Sequence, residues 1–472
     1  LWNTHAEVPI HTSDPQLNRL FTRGTYDLMM LTTMTPQGYY PYAGIPLFSC
    51  PFGRDGLISA LEFLPWYPQI ARGTLEFLAA HQGTRVDPFT DEEPGKILHE
   101  YRTGEMANCR EIPYIPYYGS VDATALFLIT LDAYLKWSND RELLERLWPN
   151  AQAAAQWLLQ NGQHNGDTFI RYHRAVASGL ANQGWKDSHD SASYGDGELA
   201  PAPLALCEVQ AYTFAAYRAM STLAQIMQHP TVAAQWDRAA NALQENFLRR
   251  YWWAQEQTFY MALDGAGRPC DIVTSNAGQC LWSGIVPKEH AHHMIARLMR
   301  KDMFSGWGIR TLSTHARRYN PLSYHNGSVW PHDTALVGLG FAQYGAKTEV
   351  AQLLQGLRDA SDYFEDARLP ELYCGFARQQ HGGPIRYAEA CSPQAWSAGS
   401  PHLLLQALLG FQPHAQEKLL VLQQPTLPDW LTSLEVRGLH VGGQKAHLRF
   451  VRVGERTEII LGQENEVAIR IV

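Results

Sequence analysis

Two kinds of helical segment alternate along most of this chain, and that alternation leaves few folds open. Residues 121–135 (VDATALFLITLDAYL) are apolar almost all the way round, which predicts a helix with no face left for water. The segment from Arg141 instead puts Leu144, Leu147, Ala151, Ala155 and Leu158 on one stripe, with Glu, Arg and Gln opposite. The pattern repeats. Residues 204–227 read as fully buried, while Val232, Trp236, Ala240, Leu243 and Phe247 line one face of the helix that follows. Residues 327–344 are again apolar all round, and Val350, Leu354 and Leu357 form the next half-buried stripe. Twelve candidate helices result: 15–33, 54–64, 67–82, 120–137, 141–161, 203–228, 231–250, 272–283, 287–300, 327–344, 347–363 and 394–410. Six inner–outer pairs curled into a ring make an (α/α)6 barrel, a six-hairpin toroid. A solenoid would need a fixed-period repeat, which the sequence lacks. From Lys418 onward short β-rich runs (LLVLQQ, SLEVRGL, AHLRFVRV, TEIILG) replace the helical period. The expected division is a helical domain over 1–412 and a small antiparallel β-domain over 413–472.

The loops are unequal. Those at 83–119, 162–202, 301–326 and 364–393 far exceed the usual two to eight residues of helix–helix connections, so they point to function. One holds Ala181-Asn182-Gln183-Gly184-Trp185-Lys186-Asp187-Ser188. A carboxylate beside an indole and away from water gains a raised pKa, and a carboxyl group protonated near neutrality serves as a general acid. Another holds Leu369-Pro370-Glu371-Leu372-Tyr373-Cys374-Gly375, a second carboxylate between Pro and Gly. Two carboxylates on separate loops of a helical scaffold suit glycoside hydrolysis.

Other polar clusters have a functional and a bland reading each. Arg54 and Asp55 open the second helix, where they fork two sugar hydroxyls or form a helix cap and a surface charge. Glu100 lies beside His99 in an acidic run, either as an inward polar wall or as a solvated face. Tyr118 and Asp122 lead into the buried helix at 120–137, as ligand contacts or as capping groups. His325, Asn326, Trp330 and His332 crowd the start of another inner helix, and lone histidines there also read as structural groups. Trp185, Trp330 and Trp396 would supply stacking walls, with Lys186 beside the acid. His290, His292 and His293 lack a companion carboxylate at metal spacing, and no HExxH, GxSxG or GxxxxGK[ST] occurs. No metal and no cofactor are expected.

Charge narrows the partners further. Lys and Arg number 38 against 46 Asp and Glu, a formal net charge of −8 without any basic run, so nucleic acid and anionic membranes are poor partners. Seven cysteines, scattered singly, read as reduced thiols of a cytoplasmic protein. No apolar run reaches the roughly 18 residues of a membrane span.

Collected together, Arg54-Asp55-Gly56, Asp91-Glu92-Glu93-Pro94-Gly95-Lys96, Tyr118-Gly119-Ser120-Val121-Asp122, the 182–188 and 369–375 segments and Ala390-Cys391-Ser392-Pro393-Gln394-Ala395-Trp396 resemble the catalytic domain of bacterial or archaeal glycogen-debranching-type amylo-α-1,6-glucosidases. The resemblance covers almost all of residues 10–411. It implies an inverting, exo-acting (α/α)6-barrel glycosidase that releases glucose from α-1,6-linked branches of glycogen-type glucans. Asp187 would be the general acid and Glu371 the general base, and Arg54 and Asp55 would hold the terminal sugar. Such relatives carry an upstream β-domain, and the chain begins at Leu1 rather than Met, so a preceding domain missing from this chain is expected. Related barrels cleave sucrose, trehalose or glucosyl-glycerate, and a phosphorylase of the same fold would leave Glu371 without a catalytic role. A sugar-binding protein without catalysis is disfavoured by two buried carboxylates. For inversion the two carboxyl groups should lie roughly 6.5–9.5 Å apart at one mouth of the barrel, with Glu371 the more acidic of the pair.

Overall fold

The alternating sequence pattern becomes thirteen helices in the computed structural model, which describes residues 8–163, 166–462 and 465–472. They are α1 (Pro15–Leu31), α2 (Gly53–Phe63), α3 (Pro68–Ala80), α4 (Glu105–Asn108), α5 (Ala123–Ser138), α6 (Arg141–Gln163), α7 (Cys207–Ile226), α8 (Pro230–Tyr251), α9 (Ser275–Gln279), α10 (Lys288–Leu298), α11 (Pro331–Gln343), α12 (Lys347–Ser361) and α13 (Ala395–Leu409). Twelve stand where periodicity predicts them. α4 is too short to leave a period in the sequence, and the segment predicted over 272–283 is α9 followed by a 3-10 turn at Leu281–Ser283. Local chemistry sets the ends. Proline opens α1, α3, α8 and α11, where its fixed φ suits a first turn and its missing N–H costs nothing. The Asp14 carboxylate accepts from the Leu17 N–H to cap α1, and Asn139 closes α5 in the left-handed region.

Burial follows the two patterns. In α2 every residue except Leu61 is buried, and α13 is buried on all sides. α6, α8, α10 and α12 bury one stripe each. α2, α5, α7, α9, α11 and α13 touch one another in that order, and α13 returns to touch α2, so the circuit closes. Each has an outer partner, respectively α3, α6, α8, α10, α12 and α1. One buried group inside this circuit lacks compensation. The Glu62 side chain on α2 is fully buried, neither carboxyl oxygen has a hydrogen-bond partner, and burial holds its pKa well above the usual range.

The C-terminal region departs from the expected antiparallel unit in two ways. Strands Ser433–Val441, Gln444–Val453 and Arg456–Leu461 form an antiparallel sheet, but its fourth strand is Ile10–Thr12 from the other end of the chain, with Ile10 opposite Val436. Ile10 adds its side chain to the apolar face made by Leu434, Val436, Leu448 and Phe450, and three residues are too few to read as a strand from alternation. Strands Phe411–His414, Leu419–Leu422 and Ala468–Ile471 form a second sheet in which the last pair runs parallel. Strand Ser433–Val441 and the turn after it reach the C-terminal ends of two inner helices, through the His440 N–H to the Pro65 carbonyl and the Gly442 N–H to the Trp137 carbonyl. The opposite end of the circuit is left to the long loops. All seven cysteines are free thiols, and among the described residues no helix is long and apolar enough to cross a membrane.

Candidate active site

The N-terminal ends of the inner helices converge with the long loops around a cavity of about 190 Å3. Arg54 and Asp55 lie in the first turn of α2, Asp122 precedes α5, Trp330 precedes α11, and Trp396 is the second residue of α13. Neither bland reading of the α2 pair survives. Arg54 is buried rather than on the surface, and Asp55 lies inside the first turn, not at the cap. Asp122 does not cap α5 with its side chain either. Its carboxylate accepts from Arg54 Nη1 at 2.7 Å and from the Ser120 hydroxyl at 2.5 Å.

Arg54 reaches the cavity with its other arm. Nη2 lies 3.2 Å from Asp187 Oδ2, so one guanidinium joins a buried aspartate to a reachable one, 28% of whose side chain is exposed. The loop that presents Asp187 is tied at several points. Asn182 donates across it to the Ser188 carbonyl, the Val121 N–H bonds the Gln183 carbonyl, and the Ser191 hydroxyl bonds the Lys186 carbonyl. The residues on either side of Asp187 both grip the 311–330 region. Lys186 Nζ donates to the Thr311 carbonyl at 2.5 Å, and Ser188 Oγ shares a hydrogen bond with His325 Nδ1 at 2.6 Å.

Glu371 enters on a separate segment. Its Oε1 accepts from the Tyr324 hydroxyl at 2.7 Å and its Oε2 from the Cys391 N–H at 3.1 Å. The segment is anchored by paired backbone bonds between Tyr373 and Val329. It runs so close to the 324–330 segment that a Cβ on Gly375 would fall 1.6 Å from the Gly327 carbonyl oxygen, a position only glycine can fill. The floor is aromatic. His332 stacks on Trp396 at 3.7 Å, His325 stacks on Trp330 at 5.0 Å, and Trp185 meets both histidines and Trp330 edge-on.

Burial dominates the titration of the site. It raises Asp187 to about 6 against the pull of Arg54, with the Asp122 charge adding to the rise. It raises Glu371 to about 7, opposed by the hydrogen bonds from Tyr324 and Cys391. Both carboxyl groups are thus raised towards neutrality, and their surroundings differ. A guanidinium faces Asp187, whereas Glu371 receives only neutral donors. Asp55 also rises to about 7, through burial and the neighbouring carboxylates. Burial keeps His99, His325 and His332 well below their ordinary value, hence neutral. Among the described residues no group of three or more His, Cys, Asp or Glu side chains is placed to hold a metal ion.

Of the residues singled out from sequence, Arg54, Asp55, Glu100, Trp185, Asp187, His325, Trp330, Glu371 and Trp396 line the cavity. Five stand behind it. Lys186 turns away to Thr311, the Tyr118 hydroxyl donates to the His81 carbonyl, and Asp122 backs Arg54. Asn326 donates to Asp190, and His332 lies with both ring nitrogens buried beneath Trp396. The sequence reading missed Phe48, Arg102, Tyr114 and Leu180 at the mouth, and Phe52 and Tyr324 on the walls. Tyr324 sits within a segment flagged for its polar density, but only contact with Glu371 distinguishes it from its neighbours.

Comparison with known proteins adds a family to this geometry. The model of the mannosylglycerate hydrolase MGH1-like glycoside hydrolase domain matches residues 54–385, a span that includes Arg54, Asp187 and Glu371. A solved sialidase superposes with a TM-score of 0.68 at 10% identity, over 96% of this chain and 40% of its own. The GH78 family rhamnosidase of a Bacillus species gives 0.66 at 14% identity, over 98% of this chain and 42% of its own. The chain thus spans about two fifths of the length of these two structures. The GH63 mannosylglycerate hydrolase from Thermus thermophilus, solved with Tris and D-glycerate, gives 0.61 at 16% identity, over 81% of this chain and 99% of its own. No curated protein matches by sequence.

Proposed function

Because this chain belongs to the mannosylglycerate hydrolase MGH1-like glycoside hydrolase family and is a glycoside hydrolase, we propose that it cleaves a small α-glycoside with inversion of configuration, Asp187 acting as general acid and Glu371 as general base. The closed circuit of six inner helices, each with an outer partner, supports an (α/α)6 barrel. The observation that carries the reading is the meeting of two carboxyl groups in one cavity with unlike partners. Asp187 faces a guanidinium, and burial still lifts its carboxyl to about 6, against the pull of that charge. Each oxygen of Glu371 accepts one neutral hydrogen bond, which orients the carboxylate and leaves lone pairs for a water. In the reaction Asp187 gives its proton to the glycosidic oxygen as the bond to the anomeric carbon breaks. Glu371 takes a proton from the water that attacks that carbon from the opposite face. The tryptophan floor supplies the apolar side of a sugar ring, and Asp55 an acceptor for its hydroxyls.

Cavity size favours a small substrate over the glycogen branch point expected from the sequence. About 190 Å3 is below the roughly 300–1,000 Å3 of drug-sized sites, enough for one sugar ring and a short leaving group. The match to a family described by a mannosylglycerate hydrolase points the same way. A phosphorylase is disfavoured, because both arginines at the cavity are already paired, Arg54 with Asp122 and Asp187 and Arg102 with Glu100. The test is the anomeric form of the first product, followed by NMR during hydrolysis of an α-glucosyl substrate. The β-anomer is expected, and first release of the α-anomer sinks the inverting mechanism. Asp187→Asn should nearly abolish cleavage of natural glycosides yet spare an α-glucosyl fluoride, whereas Glu371→Gln should impair both.

A further inference from the structure

Four carboxyl groups (Asp55, Glu100, Asp187 and Glu371) line the cavity against two guanidiniums, Arg54 and Arg102. Both arginines are already paired with a carboxylate. Arg54 is buried at the floor with one arm on Asp122 and the other on Asp187. Arg102 stands at the mouth, its Nε paired with Glu100, its Nη2 donating to the Leu47 carbonyl at 3.3 Å and its guanidinium beside the Tyr114 ring. The lysines flanking the site are turned elsewhere, Lys186 to the Thr311 carbonyl and Lys96 to the Asp91 carbonyl. The buried histidines are neutral.

The mouth, where a leaving group must lie if the ring sits on the tryptophan floor, is formed by half-buried Phe48, Arg102, Tyr114 and Leu180. A carboxylate there would lie beside Glu100, and Arg102, the cation lining the mouth, is already neutralised by that carboxylate. Placing a second anion beside that neutral pair costs free energy, screened in part by the water that reaches the half-buried mouth. A hydroxyl has no such conflict. It accepts from the guanidinium and donates to the carboxylate without separating the pair, while the apolar rim covers its carbon skeleton.

Building on the hydrolase reading above, we propose that the leaving group of this enzyme is a neutral polyol or sugar and that the Glu100–Arg102 pair excludes carboxylate-bearing leaving groups, in contrast to the substrate in the family's name. A matched pair of compounds isolates the charge: α-glucosylglycerol and α-glucosylglycerate share the sugar and a three-carbon aglycone, differing in CH2OH against COO−. Both are measured on the wild-type protein as competitive inhibitors of α-glucosyl fluoride hydrolysis, so the comparison holds whether or not either is turned over. The neutral compound should bind about tenfold more tightly, and Glu100→Gln, which frees Arg102, should shrink that preference to about threefold or less. Equal or tighter binding of the glycerate by the wild type overturns the inference, as does a preference that Glu100→Gln leaves untouched. Absence of glucosyl fluoride hydrolysis strikes the glucosidase reading instead, and the same two compounds are then compared by direct calorimetric titration, with the same preference expected.

Discussion

Replacing Tyr324 by Phe should move the pH dependence of this enzyme upward by about one unit and do little else. The Tyr324 hydroxyl donates to Glu371 Oε1 at 2.7 Å, and burial holds its own pKa so high that it stays protonated across the working range. A hydrogen bond to a charged acceptor contributes about 1.5–3 kcal/mol, or roughly one to two pKa units at about 1.4 kcal/mol each. The lower figure applies here, because the Cys391 N–H keeps its hold on the other oxygen. Phe preserves the ring contacts with His325 and Trp330, so the wall should stay in place. The base must be ionised, so the rate rises with pH through the Glu371 pKa, which stands at about 7. Loss of the donor disfavours the carboxylate, raises that pKa and shifts the limb to the alkaline side. At pH 6 kcat/KM should fall about tenfold relative to wild type, while at pH 9 the two should agree within about twofold. Glucosyl fluoride is the substrate of choice, because its leaving group needs no proton and the acid limb drops out. A limb that stays put or moves down would refute the assignment of Glu371 as base. So would a variant slowed equally at every pH.

Two further outcomes follow from groups away from the reacting atoms. Lys186→Met removes the strut from the acid loop to Thr311, and kcat should fall roughly ten- to a hundredfold with KM changed less than about threefold, as small misplacements of a catalytic group cost about that much. Steady-state kinetics with unchanged kcat would mean that Ser188 and Asn182 hold the loop without it. Glu62→Gln should improve stability relative to wild type progressively as pH rises. The unfolded chain releases the Glu62 proton above about 4.5 and the buried side chain retains it, so stability falls with rising pH through that value. The gain is read as a midpoint difference in denaturant that widens between pH 5 and pH 8, and a difference that is the same at both would contradict it.

The helices were legible because burial on all sides and burial on one stripe leave different periods, and residues 121–135 and 141–161 differ in just that way. Strand Ile10–Thr12 was not, since its identity as a strand lies in a partner more than four hundred residues away. At the site, Asp187 and Glu371 stood out as carboxylates in Gly-punctuated loops, and both line the cavity. The relative acidity of the two was not legible, because it depends on Arg54, whose side chain comes from a different helix. Lys186, Tyr118, Asp122, Asn326 and His332 share the density of their motifs but face away from the cavity. Neighbours in sequence alternate in direction, and direction is a property of the packed loop. Arg102 and Tyr114 lay in an acidic, irregular stretch with no period to orient them.

The closed circuit of helices also bears on how such a chain is made. α13 packs on both α1 and α2, and the Gln406 amide donates to the Glu62 carbonyl across 344 residues of sequence. At about 5–20 residues per second the ribosome needs on the order of 20–70 s to add that length. Throughout that interval the faces of the first two helices that α13 covers stay open, and the inner circuit cannot shut until its last member emerges. Synthesis thus imposes a waiting period on the earliest part of the molecule. A nascent chain halted before residue 395 should remain open, sticky and sensitive to proteases, and one released a few residues after Leu409 should become resistant in a single cooperative step.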